Sequence, residues 1–428
     1  MARRNTAGRI YYGWKIAGAL ALTETISWGV LYYAFSVFLV PMRDELGWSL
    51  AMLTGAYSLA LLLSGLCAPL VGSWLDRRGP RLLMTVGSTL GAICVLSWSR
   101  VDSIVAYYLT WAGIGIAMSA TLYEPAFTTL AHWFRRHRSR AMLVVTIAAG
   151  FASTIFLPLS SLLAERFGWR EALVLLAAIM ALGTVPLHAL VLRRRPEDLG
   201  LEIDGVAPGT VGVPSSSNLA EELQTTLRTA LRQSSFWLLA VAFVLQMFAT
   251  VAVSIVLIPY LTDRGENPAF AATATGLIGA AQVVARIMST ALGDRVSAVS
   301  LTAGVFALQA VALAILIMWQ ANTGILTAVL LLGAGRGVVT LMRAQLVADF
   351  YGRLHYGAIN GTLALFLTVA SALAPICAGF IYGVTDDYAP LLWGMAVFSV
   401  CAAGVMFLLA LLRQSATGTI APQSERAG

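Results

Sequence analysis

Twelve apolar stretches, each long enough to cross a bilayer as a helix, constrain this chain more than any other feature. A crossing needs about 20 helical residues. Cutting at charged or Gly/Pro-rich breaks leaves spans at about 14–40, 49–75, 81–99, 103–131, 140–163, 169–192, 236–262, 270–292, 297–319, 323–349, 357–383 and 388–412. The connections are short except for 193–235, which opens with Arg193-Arg194-Arg195-Pro196 and carries Pro208, Pro214 and serines at 215–217. Its polar end, 218–233, suits an amphipathic surface helix. The expected fold class is an all-α integral membrane protein: six helices in 1–192, a linker over 193–235, six helices in 236–412 and a tail over 413–428.

Composition agrees. Of 428 residues, 58% are hydrophobic and 11% charged, whereas a soluble globular chain carries about 25% charged residues. An ordinary soluble enzyme and a disordered protein are excluded on that ground. The net charge of +7 follows from topology and not from a nucleic-acid partner. Nineteen arginines fall in the N-terminus, the linker, the tail and every second loop. Only five (Arg43, Arg100, Arg166, Arg170 and Arg264) fall in the remaining loops. By the positive-inside rule both termini and the linker are cytoplasmic, which predicts a multi-pass protein of the inner membrane. The first apolar run is too long for a secretory signal and reads as a retained span. Cys67, Cys94, Cys377 and Cys401 lie in apolar runs without metal-ligand spacing, and read as packing thiols.

The two halves repeat at a nearly constant offset. Ser36 and Val40-Pro41 recur as Ser254 and Ile258-Pro259, and Asp76-Arg77 as Asp294-Arg295. Phe134, Ala141 and Pro158 recur as Tyr351, Ala358 and Pro375. Parallel six-helix repeats are a transporter architecture, with the substrate site between the halves near the midplane.

The segment 72–81, GSWLDRRGPR, resembles the loop between helices 2 and 3 of the major facilitator superfamily. Gly72, Asp76, Arg77, Gly79 and Arg81 match its pattern, with Pro80 displacing the last arginine by one. The second-half copy, Gly293-Asp294-Arg295, is truncated. The resemblance implies two six-helix bundles and a gating role for Gly72, Asp76, Arg77, Gly79, Arg81, Asp294 and Arg295. Within the superfamily the chain is most similar to the monocarboxylate-porter and organic-anion branch. Tyr12-Gly13-Trp14 resembles that branch's entry motif to helix 1. Trp133-Phe134 with Arg136, Arg138 and Ala141 resembles its lead into helix 5, although Leu143 and Ala148 replace glycines. Val284-Ala285-Arg286 resembles its anion-binding region, with Gln282 where the branch often has a proton-carrying aspartate.

Five charges fall well inside the spans: Glu24, Glu124, Arg286, Arg336 and Arg343. Each costs on the order of 3 kcal/mol at the bilayer centre, so each needs a reason. With about 1.5 Å of rise per residue, Glu24, Glu124 and Arg286 lie roughly 12–15 Å from the cytoplasmic boundary, and Arg336 about 20 Å. Arg286 reads as a substrate anchor, because a guanidinium fork suits a carboxylate and stays charged in a dry site; the alternative is an ion pair with Glu24 or Glu124. Arg336 reads as a second anion contact or a pairing partner, and Arg343 as a snorkelling arginine. Glu24 and Glu124 are candidate proton carriers or fixed partners of an arginine, and Pro125 should kink the helix beside Glu124. Tyr33, Tyr123, Gln246, Gln282 and Asn360 are candidate substrate contacts, or else polar packing between helices. His132, His137 and His355 are expected to be solvated at loop edges and His188 to be interfacial.

These observations predict a secondary transporter of a small organic anion, a monocarboxylate by resemblance, coupled to protons and working by alternating access as a monomer. No cofactor or metal is implied. The competing reading is an exporter of a drug or a neutral or cationic metabolite by proton antiport. Helix 5 reads Gly150-Phe151-Ala152-Ser153, without the Gly-rich G-P-x-x-G-G element of such exporters. A membrane enzyme lacks support, since the chain has no H-E-x-x-H or G-x-S-x-G motif.

Overall fold

The computed structural model describes residues 11–205, 226–292 and 296–418, which form helices and loops without a β-strand. Twelve long helices follow one another: α1 (Tyr12–Leu46), α2 (Leu50–Arg78), α3 (Pro80–Trp98), α4 (Ile104–Trp133), α5 (Arg138–Phe167) and α6 (Trp169–Leu190), then α7 (Ser234–Asp263), α8 (Pro268–Leu292), α9 (Ala298–Met318), α10 (Asn322–Tyr351), α11 (Tyr356–Thr385) and α12 (Ala389–Gly418). Among the described residues, all except α8 meet the length and hydropathy needed to cross a membrane. Every predicted span falls on one of these helices. Side chains such as Leu70, Leu182 and Phe380 are 72–77% exposed, a surface that hydrocarbon solvates and water does not. The chain is a multi-pass membrane protein.

Local chemistry sets the helix ends. Ser49, Ser103 and Ser297 each accept a hydrogen bond from the backbone N–H three residues on, at 3.1–3.2 Å, capping α2, α4 and α9. Between α2 and α3 the chain turns at Gly79, whose φ of 79° suits glycine, and Pro80 opens α3 where its missing N–H is harmless. Three helices are interrupted. α1 carries a π-helical turn over Trp28–Tyr33, α4 breaks at the extended Leu122, and α5 breaks at Phe151. The α4 break is the kink expected from Pro125, which cannot donate to the carbonyl of Thr121.

Two compact units emerge. The first comprises residues 1–227 together with 347–369, and the second 228–346 together with 370–428. The first unit packs on aromatic residues: the Trp98 and Trp111 rings lie 4.8 Å apart, and the Trp98 indole donates to Met42 Sδ at 3.0 Å. The second packs on small and aliphatic ones, including Ala249, Ala252, Ala271, Ala274 and Leu313, which let helices approach closely. The predicted surface helix is described only over Leu227–Arg232, which is helical; residues 218–225 lie outside the described residues.

Candidate functional site

Three polar clusters use the residues singled out in the sequence. The first lies at the linker end of the first unit. Gly72 and Asp76 stand one turn apart on α2 and both meet the start of α11. Asp76 Oδ1 accepts the N–H of Gly357 at 2.9 Å, and Oδ2 accepts that of Ala358 at 2.8 Å. Those amides belong to the first turn of α11, where a helix has no internal acceptor and favours negative charge. The carboxylate is 6% exposed as a residue. Gly72 makes the approach possible, because a Cβ there would lie 1.8 Å from the Gly357 carbonyl oxygen. Gly-x-x-x-Asp is therefore one interhelical contact: a gap and the carboxylate that fills it.

Around it, Arg81 donates to the Ala189 carbonyl at 2.6 Å, joining α3 to α6, while Arg77 is exposed. Arg138 pairs with Asp349, and Arg353 with Glu197 at 3.2 Å. Linker residue Asp204, held at a φ of 59°, accepts the backbone N–H groups of Arg135, Arg136 and His137 at 2.7–3.2 Å. The two motifs of the monocarboxylate-porter resemblance meet here as well. Trp14 packs on Phe134 at 5.0 Å and Tyr12 on Trp133 at 5.7 Å, and Tyr11 Oη donates to the Trp133 carbonyl at 3.0 Å. Burial and the charges of Asp204 and Glu197 hold the Tyr11 phenol well above its ordinary value, so it remains a donor. Asp294 and Arg295 lie outside the described residues.

His132 departs from expectation. It is 4% exposed, its Nδ1 lies 2.8 Å from the Thr128 carbonyl oxygen, and its Nε2 lies 3.6 Å from Asp76 Oδ1. His188 is likewise buried, with Ser88 Oγ 2.8 Å from its Nδ1. Both histidines lie one turn or less from a helix end beside basic residues, a pattern indistinguishable in sequence from a solvated edge.

The second cluster lies within the first unit, beside the α1 and α4 irregularities. Glu24 is fully buried, and neither carboxyl oxygen has a hydrogen-bond partner. It faces the Trp28 indole, one turn along, and feels the charge of Glu124. Asn360 of α11, also fully buried, donates its amide to Glu124 Oε2. Tyr123 stacks on Phe127 at 5.1 Å and packs on Trp28 at 5.0 Å, and Tyr33 lies 6.4 Å from Trp28. Glu24, Glu124, Asn360, Tyr33 and Tyr123 thus belong to one neighbourhood. Trp28, which the sequence reading missed, joins them; its signal is the run Trp28-Gly29-Val30-Leu31-Tyr32-Tyr33, which forms the π-helical turn.

The third cluster lies within the second unit. Arg286 is 7% exposed; its Nε donates to the Gly337 carbonyl at 3.3 Å, and its Nη2 lies 3.5 Å from Gln282 Oε1. Arg336 is more open and donates from Nη1 to Ser254 Oγ at 3.0 Å. Gln246 Nε2 donates to Gln309 Oε1 at 2.5 Å. Arg336, Ser254, Gln309 and Ser399 line a cavity of about 20 Å³, room for a water and not for a metabolite.

Comparison with known proteins accords with this architecture. Residues 20–351 match the Major Facilitator Superfamily. Monocarboxylate transporter 13 of Bos taurus is 26% identical over 408 residues, covering 93% of this chain and 89% of that protein. Monocarboxylate transporter 3 of Rattus norvegicus is 26% identical over 406 residues, covering 92% and 79%. In fold, the chain is similar to a bacterial homologue of the iron transporter ferroportin, with a TM-score of 0.73, 15% identity and coverage of 94% and 100%. The transporter FucP gives a TM-score of 0.70, 12% identity and coverage of 94% and 99%. A family match across three quarters of the sequence, on a twelve-helix membrane chain whose Asp76 on α2 caps the start of α11, leads to one conclusion: this protein belongs to the Major Facilitator Superfamily.

Proposed function

We propose that this protein is a secondary transporter of a small organic anion, with monocarboxylates the first class to test, coupled to protons and cycling by alternating access. The observation that carries the anion reading is Arg336. It is a guanidinium in the middle of a spanning helix, more exposed than Arg286, whose one side-chain hydrogen bond among the described residues goes to Ser254. The remaining donors of its planar fork suit a carboxylate, which accepts two parallel N–H bonds. Arg286, tied to the α10 backbone through Gly337, braces that helix and supplies a second positive charge. The naming of the relatives as monocarboxylate transporters supports the same class.

Proton coupling rests on Glu24 and Glu124. An ionised carboxylate in a dry interior needs a donor or a counter-ion, and Glu24 has only the Trp28 indole facing it, with neither oxygen in a well-formed hydrogen bond. Holding a proton there while the site is closed, and losing it when water enters, gives the cycle a coupling step. Gly72, Asp76, Gly79 and Arg81 act as a gate on the linker side, which the arginine distribution assigns to the cytoplasm. The lipid bilayer, the organic anion and protons are the partners this reading requires, and the monomer suffices.

The test is uptake of labelled mono- and dicarboxylates into proteoliposomes, with and without an inward proton gradient. Gradient-driven uptake of a carboxylate supports the whole reading. Uptake indifferent to the gradient removes the coupling step and keeps the anion. Absence of carboxylate uptake by folded protein sinks the anion reading.

A further inference from the structure

We propose that His132 and Asp76 share one proton, and that this proton fastens the first turn of α11 to α2. The assignment concerns a proton site distinct from Glu24 and Glu124, and it does not depend on which substrate is carried.

The argument starts with tautomers. A backbone carbonyl only accepts, so the 2.8 Å contact between His132 Nδ1 and the Thr128 oxygen places a hydrogen on Nδ1. In a neutral ring Nε2 is then a lone pair. It lies 3.6 Å from Asp76 Oδ1, within ion-pair distance, and has no hydrogen-bond partner. Two acceptors this close in a buried place repel, and one proton held between them turns that repulsion into a charge-assisted attraction, which a small approach of the two side chains makes a hydrogen bond. Asp76 keeps both oxygens on Gly357 and Ala358 meanwhile, because a carboxylate offers about four lone-pair sites and those amides use two. The four groups form one chain: Thr128 carbonyl, imidazole, carboxylate and the α11 amides.

The surrounding charges fix where the proton sits. From the linker, Arg194 and Arg195 act on His132, and from the α10–α11 loop so does Arg353. From α2, Arg77 acts on Asp76, as does Arg195. Linker residue Asp204 occupies the adjacent backbone at 135–137. Arg353 is offset by Glu197, and Arg195 by Glu197 and Asp198. The arginines oppose a free imidazolium, whereas the Asp76 carboxylate favours one, so the proton belongs to the pair and not to either residue. Undocking α11 lets water reach both groups and dissolves the shared site. Proton binding and docking therefore promote each other, and docking weakens as the pH rises.

Hydrogen exchange on the full chain in lipid nanodiscs tests this, because the amides of Gly357 and Ala358 are the ones that docking protects. After correction for intrinsic exchange, their protection should fall as the pH rises above about 6.5, the ordinary histidine value, by at most tenfold per pH unit, the slope of one bound proton. In His132→Gln the protection should be independent of pH, and in Asp76→Asn it should be weak throughout. Protection independent of pH in the unsubstituted chain, or an unchanged slope in His132→Gln, overturns the proposal. The unsubstituted protein also gives a direct reading by solid-state NMR. With the His132 signal identified through labelled threonine carbonyls, a proton on Nδ1 and a shared one on Nε2 at pH 6 support the assignment. A bare Nε2 at that pH overturns it.

Discussion

Gly72 of α2 and Gly357 of α11 touch backbone to backbone: a Cβ on Gly72 would meet the Gly357 carbonyl oxygen at 1.8 Å, and a Cβ on Gly357 would meet that of Gly72 at 2.4 Å. Neither carbonyl can swing aside without breaking a helix. Gly72→Ala should therefore separate α2 from α11 and withdraw the α11 amides from Asp76. An overpacking loss of about 1–3 kcal/mol is expected, read as a lower melting temperature and faster exchange at 357–358.

Asp76→Asn keeps the size of the side chain and one acceptor but removes the charge from the α11 terminus. The helix-end interaction contributes about 0.3–1 kcal/mol at exposed sites and up to about 2 kcal/mol when partly buried, so the buried carboxylate should sit near the upper figure. Transport by Asp76→Asn should fall because one gate conformer loses population, while the affinity for substrate changes little. A comparison of equilibrium binding with uptake rate checks this.

Arg336 and Arg286 should respond differently to substitution. Arg336→Lys removes the planar fork and should weaken carboxylate binding by about tenfold or more, following the loss of roughly 1.5–3 kcal/mol for a charge-assisted hydrogen bond. Stability should stay close to that of the parent. Arg286→Gln should lower stability, since the Gly337 carbonyl loses its donor in a buried position. Binding and thermal unfolding measured on both variants separate the two roles; equal losses in both assays for both residues would contradict them.

Glu24→Gln replaces a buried carboxyl lacking a hydrogen-bond partner with a neutral side chain of the same shape. The variant should fold at least as well as the parent and lose gradient-driven uptake while retaining substrate exchange. Glu124→Gln should also lose the gradient response, but at a cost in stability, because Asn360 donates to that carboxylate. Counterflow measured beside gradient-driven uptake distinguishes coupling from binding.

Asp204→Ala leaves the N–H groups of residues 135–137 without their shared acceptor. Losing three charge-assisted hydrogen bonds at a partly exposed site should free the linker more than it unfolds the helices. Limited proteolysis should then cut near residue 204 several-fold faster, with the melting temperature lowered by a few degrees at most, as for a surface change of about 1 kcal/mol.

The number, length and order of the helices were legible because about 20 apolar residues carry their own evidence for a crossing. The break before Pro125 was equally local. Partners were not. Hydropathy places Arg336 at a depth but gives no azimuth, so Ser254 was visible only as a repeat position. Asp76 and Gly357 lie 281 residues apart, and nothing near either one names the other. Gln246, taken for a substrate contact or packing, spends its amide on Gln309. His132 misled because Trp133-Phe134-Arg135-Arg136 reads as a helix running out into water, whereas linker residues fold back and cover that end.

The composition of the first unit also sets an order of events at the ribosome. Residues 347–369 complete a body otherwise built from residues up to 227, so they arrive roughly 120 residues late. Gly357 follows Asp76 by 281 residues, so at about 5–20 residues per second Asp76 waits on the order of 14–56 s for the amides it will hold. During that interval the nascent first half holds Asp76 without its amide partners, and only the delivery of α11 supplies them.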